Sequence, residues 1–250
     1  MRMLTSAGVL VGFCGSGGTP LFAGSEIEWL TPQNEYRPTE YVQGWLKFWF
    51  DEQERLKAAK NFQKSRLEFL KKVWSNDRNL VSENFNCNDL TSAFNCYEEN
   101  VEKAKKVGDL LCSEALITKR LYKYVAGCTK LNGFTRQHES KDLANAFLNH
   151  GNYLAYGLGA CTLWVLGIPH SFAVMHGKTR RGALVFDVAD LIKDAIVLPW
   201  AFICAKEKMD EQAFRQLILQ KFTDHHALDF MFEQVKKQAL ANSIISDNLP

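Results

Sequence analysis

Apolar side chains recur every three or four residues along most of the chain, the spacing typical of amphipathic helices. This pattern predicts helices over 41–74, 87–105, 101–124, 141–167, 185–206 and 211–241. The beginning of the chain differs, because residues 7–13 have the character of a strand, a glycine-rich turn follows, and 19–22 are predicted to pair with it. A lone hairpin is only marginally stable, so this unit resembles the remnant of a larger β domain. We therefore predict a mainly α protein, with a remnant β-hairpin in 1–24, a linker in 25–40 and a helical domain in 41–250.

A carboxylate interrupts one of the apolar stripes. Val107, Leu110, Ile117 and Leu121 follow three- and four-residue steps, and Glu114 occupies the position between them. Burying a carboxylate is costly unless it is paired or binds a cation. Glu114 is therefore a candidate metal ligand, and the alternative is a core glutamate that is hydrogen-bonded or extends to solvent along its own stem.

A second group of polar residues lies around residue 180. His176 ends an apolar stretch, and Asp187 and Asp190 lie three apart on the next predicted helix, so both project from one face. Imidazole and carboxylate together suit divalent first-row metals, and carboxylate favours Mg²⁺ or Mn²⁺. The alternative is an ordinary solvent-facing side of the helix, because Asp187, Asp190 and Asp194 recur at helical spacing opposite apolar positions.

A basic loop, GKTRRGALVF, separates His176 from the two aspartates. Its Lys178, Arg180 and Arg181 place positive charge where an anionic phosphate would be held. Metal ligands beside cations indicate phosphodiester chemistry. Residues 172–176 and 183–186 are predicted to form a short hairpin across this loop.

Net charge and cysteine spacing limit the classes of function that fit this chain. The net charge of +2, from 30 basic and 28 acidic residues, neither requires nor excludes nucleic acid, but Lys57, Lys60, Lys64 and Lys71 share one predicted helical stripe. Such a stripe fits either a phosphate-tracking surface or an ordinary solvated helix face. Seven cysteines without a CxxC pair argue against a disulfide framework and a zinc ribbon, and favour free thiols in a reducing cytoplasm.

One long segment, 143–177, contains no Asp, Glu, Lys or Arg and is long enough to span a bilayer. Polar residues are scattered through it, including Asn145, Asn149, Asn152 and His170. We therefore interpret it as a central helix buried in a soluble protein, with no role in a membrane.

Three separated segments resemble the CRISPR-associated spacer-acquisition integrase, the catalytic subunit of the adaptation complex. They are CSEALITKRLYKYVA around Glu114, DLANAFLNHGNYLAYGLGA, and GIPHSFAVMHGKTRRGALVFDVADLIKD. Their order and spacing make the resemblance specific, and it extends from about residue 3 to the C-terminal region. The start of the chain, MLTSAGVLVGFCGSGGTPLF, is most similar to the end of the β domain in the I-F subtype.

The resemblance implies a metal-dependent DNA endonuclease and integrase located in the cytoplasm. In that family a glutamate, a histidine and an aspartate bind Mg²⁺ or Mn²⁺. By position these correspond to Glu114, His176 and Asp190, while Asp187 corresponds to a supporting acidic position. A spacer precursor's 3′-hydroxyl attacks a phosphodiester at a repeat boundary, so the implied substrates are double-stranded and branched DNA.

The resemblance also implies protein partners. Family members form homodimers and assemble with a small second adaptation subunit, which in this subtype is fused to a helicase-nuclease. Only the last hairpin of the family's N-terminal β domain is recognised here, which predicts weaker dimerisation. Two hypotheses follow: an active integrase, favoured by the retained site residues, or a non-catalytic DNA-binding or scaffolding remnant of the same complex.

Overall fold

The computed structural model describes residues 38–137, 139, 142–177 and 182–241. Every regular element in these residues is helical, which confirms the mainly α prediction. The elements are α1 (Thr39–Trp49), α2 (Glu52–Asn76), α3 (Arg78–Ser82), a 3₁₀ turn (Cys87–Leu90), α4 (Thr91–Lys103), α5 (Val107–Cys128), α6 (Leu143–Val165), α7 (Ala183–Ile192), a π turn (Lys193–Val197), α8 (Leu198–Lys206), α9 (Glu211–Asp224) and α10 (Ala227–Leu240). The predicted N-terminal hairpin and nearly all of the predicted linker lie outside the described residues.

Several of the predicted helices are divided by local capping interactions. The first predicted helix breaks at Asp51, whose carboxylate accepts hydrogen bonds from the backbone N–H groups of Gln53 and Glu54 at the start of α2. Asp109 binds the N–H groups that precede α5, so the boundary between the predicted helices over 87–105 and 101–124 lies at 104–106. The last predicted helix breaks at His226, which adopts a left-handed conformation with φ of 52°. Apolar periodicity alone does not reveal these breaks.

Helix α6 lies at the centre of the fold and contacts α7, the π turn, α8, α9 and α10. Two glycines on α6 permit this close packing. A Cβ atom at Gly159 would lie 3.0 Å from the carbonyl oxygen of Val185, and one at Gly151 would lie 2.5 Å from Val197 Cγ1. The interpretation of the charge-free segment as a buried central helix is therefore confirmed. None of the described helices combines the length and apolar character needed to cross a membrane.

The predicted helix over 185–206 is continuous but contains a π turn. Pro199 has no N–H group, so the carbonyl oxygen of Ala195 loses its usual partner four residues ahead. The buried indole of Trp74 replaces that partner, because its Nε1 donates to Ala195 O at 3.0 Å. This contact attaches α2 to the π turn beside the aspartates of α7.

We expect Trp74→Phe to lower the free energy of unfolding by about 1–3 kcal/mol more than the loss of ring volume alone does, because the carbonyl oxygen of buried Ala195 loses its indole donor. Trp200→Phe is the matched control, since Trp200 is also buried and its Nε1 has no hydrogen-bond partner among the described residues. Chemical denaturation of both variants measures the difference. Equal losses would show that the Trp74 hydrogen bond contributes nothing net.

The predicted lysine stripe on α2 faces acidic residues of the neighbouring helix α4. Lys64 forms an ion pair with Glu102, and Lys60 donates to the carbonyl oxygen of the same residue at 2.7 Å. Lys71 pairs with Glu98 at 2.6 Å. These contacts favour the ordinary helix-face interpretation over a phosphate-tracking surface.

Candidate metal centre

Three of the sequence-predicted ligands converge at one point in the fold. Glu114 extends from α5, His176 from the loop after α6, and Asp190 from α7, and one ligand atom from each lies within 4.8 Å of the others. Donors bound to one Mg²⁺ at about 2.1 Å are separated by at most about 4.2 Å. Movements of several tenths of an ångström would therefore bring all three onto a common ion. Glu114 precedes His176 by 62 residues in the sequence and joins His176 and Asp190 only through the packing of α5 against the rest of the domain.

Asp187 fixes the loop that carries His176. Its side chain is fully buried and accepts hydrogen bonds from the backbone N–H groups of Val174 at 2.7 Å, Met175 at 3.0 Å and His176 at 3.2 Å. It also contacts His176 Nδ1 at 2.6 Å. An ionised carboxylate only accepts hydrogen bonds, so Nδ1 carries the proton and Nε2 is left with a lone pair that could bind a metal. This hydrogen bond also raises the pKa of His176.

The prediction of a hairpin across the basic loop is wrong. Residues 172–176 form bends and irregular backbone, and α7 begins at Ala183, where the second strand was expected. The physical reason is the Asp187 carboxylate, which takes backbone N–H groups that a partner strand would otherwise bind. A side chain therefore replaces strand pairing in this part of the chain.

Glu114 is held by Arg66, a buried residue on α2. Arg66 Nη1 donates to Glu114 Oε1 at 2.6 Å, whereas Glu114 Oε2 is buried and has no hydrogen-bond partner among the described residues. Burial raises the pKa of Glu114, and the positive charge of Arg66 opposes that rise. Buried oxygens without a partner are uncommon in folded proteins. A bound cation would satisfy this one, which supports a metal at the centre of the three side chains.

The three aspartates of the α7 region are buried, so the solvent-facing alternative is wrong. Asp190 is 6% exposed and forms an ion pair with Lys193, one turn further along. Burial alone would raise the pKa of Asp190, but Lys193 and Arg66 outweigh it and lower the pKa. Asp194 is 8% exposed and is bound by Arg66 Nε at 2.9 Å. Asp190 and Asp194 face inward because Lys193 and Arg66, the cations that they bind, lie on that side.

Comparison with known proteins identifies the chain. The family model described as "CRISPR associated protein Cas1" matches residues 1–226. The chain belongs to the Cas1 family. It is 51% identical over 253 residues to the CRISPR-associated endonuclease Cas1 of Pseudomonas aeruginosa (strain UCBPP-PA14), covering 98% of this chain and 78% of that protein. The Cas1 of Pectobacterium atrosepticum is 50% identical over 248 residues, covering 96% and 76% respectively.

Solved structures share the fold of this Cas1-family chain. TM1797, a Cas1 protein from Thermotoga maritima, superposes with a TM-score of 0.69 at 14% identity, covering 96% of this chain and 81% of that one. A casposase bound to integration product superposes with a TM-score of 0.65, also at 14% identity, covering 99% and 75%. At such identities the likeness establishes the fold, and it agrees with the mainly α architecture.

Arg66 is not among the site residues predicted from the sequence, although the chain contains a signal for it. Arg66 interrupts the apolar series Phe62, Leu70 and Val73 on α2 in the same way that Glu114 interrupts its own stripe. An arginine and a glutamate at such positions on two helices of one domain predict a buried ion pair. The structure shows this pair, and both side chains are at most 14% exposed.

The charges at the site favour one divalent cation. Four carboxylates and two cations meet there among the described residues, namely Glu114, Asp187, Asp190, Asp194, Arg66 and Lys193. With every carboxylate ionised, the group carries a net charge of −2, which one divalent ion neutralises. A polar cavity of about 90 Å³ adjoins the site and is lined in part by Thr118, Tyr122 and Asn152. It has room for water molecules that would complete a coordination shell.

The predicted phosphate-binding residues Lys178, Arg180 and Arg181 lie outside the described residues. The described chain resumes at Gly182, in a left-handed conformation with φ of 65°, immediately before α7. His176 and Asp187 flank the loop and are both at the site. The assignment of the three cations to phosphate binding remains a prediction.

Proposed function

We propose that this chain is a divalent-metal-dependent DNA endonuclease and integrase that inserts spacer DNA into a CRISPR array. The convergence of Glu114, His176 and Asp190 within 4.8 Å carries the proposal. Membership of a family whose relatives are named CRISPR-associated endonucleases supports it. The oxygen-rich ligand set, with a single imidazole, suits Mg²⁺ or Mn²⁺ rather than a softer metal.

The proposed reaction is a phosphodiester exchange. A 3′-hydroxyl at the end of the incoming DNA loses its proton and attacks phosphorus at a repeat boundary. The new bond forms as the bond to the leaving 3′-oxygen breaks, and that oxygen takes up a proton from water, so the numbers of phosphodiester bonds and of hydroxyl groups are unchanged. A divalent ion at such a site supplies a Lewis acid for the phosphate and the leaving oxygen. Glu114, His176 and Asp190 would hold it, and Asp187 would keep His176 in the ligating tautomer.

A positively charged loop supports DNA as the substrate. The loop is bounded in sequence by His176 and Asp187, so Lys178, Arg180 and Arg181 lie within five residues of a proposed ligand. Cations this close to a metal ligand would bind the phosphate backbone of DNA that passes the metal centre.

We expect replacement of Lys178, Arg180 and Arg181 by alanine to weaken duplex DNA binding and to reduce the magnitude of its salt slope by up to about 0.9 per lost phosphate contact. Fluorescence anisotropy over a range of salt concentrations measures both effects. The matched control replaces the exposed Lys47, Arg215 and Lys237, which removes the same charge elsewhere. An unchanged slope in the loop variant would assign the loop to solvent.

The proposal also covers the subtype, the cellular location and the protein partners of this chain. We infer from the sequence resemblance that the chain belongs to the I-F subtype and acts in the cytoplasm. We also infer homodimers that assemble with a small adaptation subunit fused to a helicase-nuclease. Sedimentation of the chain alone and with that subunit measures both associations.

Metal-dependent nicking of branched DNA tests the proposed function directly. The full chain is incubated with a labelled branched duplex in the presence of Mg²⁺, Mn²⁺ or EDTA. Product that forms with either metal and disappears with EDTA supports the enzyme. DNA binding without any metal-dependent nicking or joining would support the non-catalytic hypothesis instead.

A further inference from the structure

Arg66 contacts more of the site than any ligand does. Its Nε donates to Asp194 Oδ2 at 2.9 Å and its Nη1 to Glu114 Oε1 at 2.6 Å. Longer hydrogen bonds run from Nη1 to Gln63 Oε1 at 3.4 Å and from Nη2 to Thr118 Oγ1 at 3.3 Å. Nη2 also forms an ion pair with Asp194. The guanidinium therefore joins α2, α5 and the π turn through a side chain that is 6% exposed.

Arg66 binds its two carboxylate partners, Asp194 and Glu114, in different ways. Asp194 is held by two nitrogens of the guanidinium and is not among the three residues whose ligand atoms converge. Glu114 is held through one oxygen only, and its Oε2 is left without a partner. A planar guanidinium makes such contacts in fixed directions, whereas a lysine ammonium does not.

The partners of Arg66 are themselves fixed. Gln63 donates through Nε2 to Met175 Sδ at 2.7 Å, and Tyr97 donates its hydroxyl to Gln63 Oε1. Met175 precedes His176 and belongs to the loop that Asp187 binds. One hydrogen-bonded path therefore leads from Arg66 to the histidine loop as well as to Glu114.

We propose that Arg66 is a positioning residue for the metal centre. It keeps Glu114 Oε2 available as a ligand and holds Asp194 away from the ion. This inference rests on the proposed function, since it assumes that Glu114, His176 and Asp190 bind the metal. Arg66 acts through Glu114 and needs no contact with DNA.

Mn²⁺ binding to the full chain tests this role without any dependence on activity. Isothermal titration of Arg66→Lys should show an affinity about 10–100-fold below wild type, the usual effect of losing a group that orients a ligand. Lys64→Gln is the matched control, because it removes one positive charge from the same helix at a partly exposed ion pair. Its Mn²⁺ affinity should equal that of wild type.

A second variant provides the same test if Arg66→Lys does not fold. Arg66→Gln combined with Asp194→Asn leaves the net charge of the site unchanged, so Glu114 is the only carboxylate that loses a paired cation. It should also bind Mn²⁺ about 10–100-fold more weakly. Wild-type affinity in either folded variant, as judged by circular dichroism, would overturn the proposal.

Nicking at raised Mn²⁺ concentration distinguishes positioning from direct catalysis. If Arg66 acts only through Glu114, saturating Mn²⁺ restores nicking by Arg66→Lys to within a few-fold of wild type. Full metal occupancy without recovery would overturn the positioning role. Failure of the wild-type chain to bind Mn²⁺ would instead contradict the proposed function, so the two failures are distinguishable.

Discussion

Replacing Glu114, His176 or Asp190 is expected to abolish metal-dependent nicking and joining of DNA while largely sparing DNA binding. Each residue supplies one ligand atom to the converging set, so loss of any one weakens the binding of the ion and frees its position relative to the phosphate. Loss of Lewis-acid stabilisation worth several kcal/mol corresponds to a rate reduction on the order of 10³-fold or more. Nicking of a labelled branched duplex and anisotropy on the same DNA measure the two quantities separately.

The choice of substitution matters because two of the ligands are paired with buried cations. Alanine at Asp190 leaves the Lys193 ammonium without its carboxylate, and alanine at Glu114 removes one partner of Arg66. Both changes are expected to lower stability as well as activity. Glu114→Gln and Asp190→Asn preserve shape and are therefore the cleaner variants.

Glu233→Ala and Asp229→Ala are controls of the same residue types at exposed positions of α10. They should nick DNA at wild-type rates. Wild-type nicking by a folded Glu114→Gln or Asp190→Asn variant would contradict the assigned metal centre. Parallel loss of DNA binding and nicking would show that the residues support the DNA surface rather than the ion.

Asp187→Asn is expected to have the second largest effect. The change replaces an acceptor of three backbone N–H groups and of His176 Nδ1 by a side chain with its own donors. Hydrogen bonds to a buried charge contribute about 1.5–3 kcal/mol each, so we expect a loss of stability on the order of 2 kcal/mol or more. Mn²⁺ affinity should fall by about 10–100-fold, because the His176 ring is no longer held in one orientation.

Asp210→Asn is the matched control, since Asp210 also accepts a backbone hydrogen bond, from Ala213 N at 2.8 Å, at an exposed helix start far from the site in sequence. Asparagine caps helices about as well as aspartate, so stability and metal affinity should barely change. Denaturation and Mn²⁺ titration measure both variants. Asp187→Asn with wild-type Mn²⁺ affinity would show that His176 needs no support from this carboxylate.

Much of the helical architecture was predictable from apolar spacing, and the errors have identifiable causes. The division at Asp51 depends on a side chain that binds backbone N–H groups, an interaction that leaves the apolar pattern unchanged. The sequence of Asp51 followed by Glu54 is itself a helix-start signal that would have placed the first break. The prediction of a hairpin around residue 180 is wrong because the Asp187 carboxylate, rather than a partner strand, binds the backbone N–H groups there.

Sequence alone identified the residue types and the helices that present them. Glu114 was recognisable because a carboxylate in an apolar stripe must be paired or bind a cation, and Asp187 and Asp190 because they share one helix face. These inferences are local, since helical spacing determines which side chains lie on a common face. The resemblance to the integrase family added the correspondence between segments that are distant in the chain.

Only the tertiary structure decided which side chains meet and what each one does there. Glu114 and His176 are distant in sequence and converge because α5, α7 and the loop after α6 meet at one place around α2. Arg66 appeared in the sequence as one cation among several on α2, and its burial between Glu114 and Asp194 sets it apart. The roles of Asp187 and Asp194 differ although both lie on the same helical face, because one faces backbone N–H groups and the other a guanidinium. Such distinctions depend on contacts between elements far apart in the chain, and no local spacing determines them.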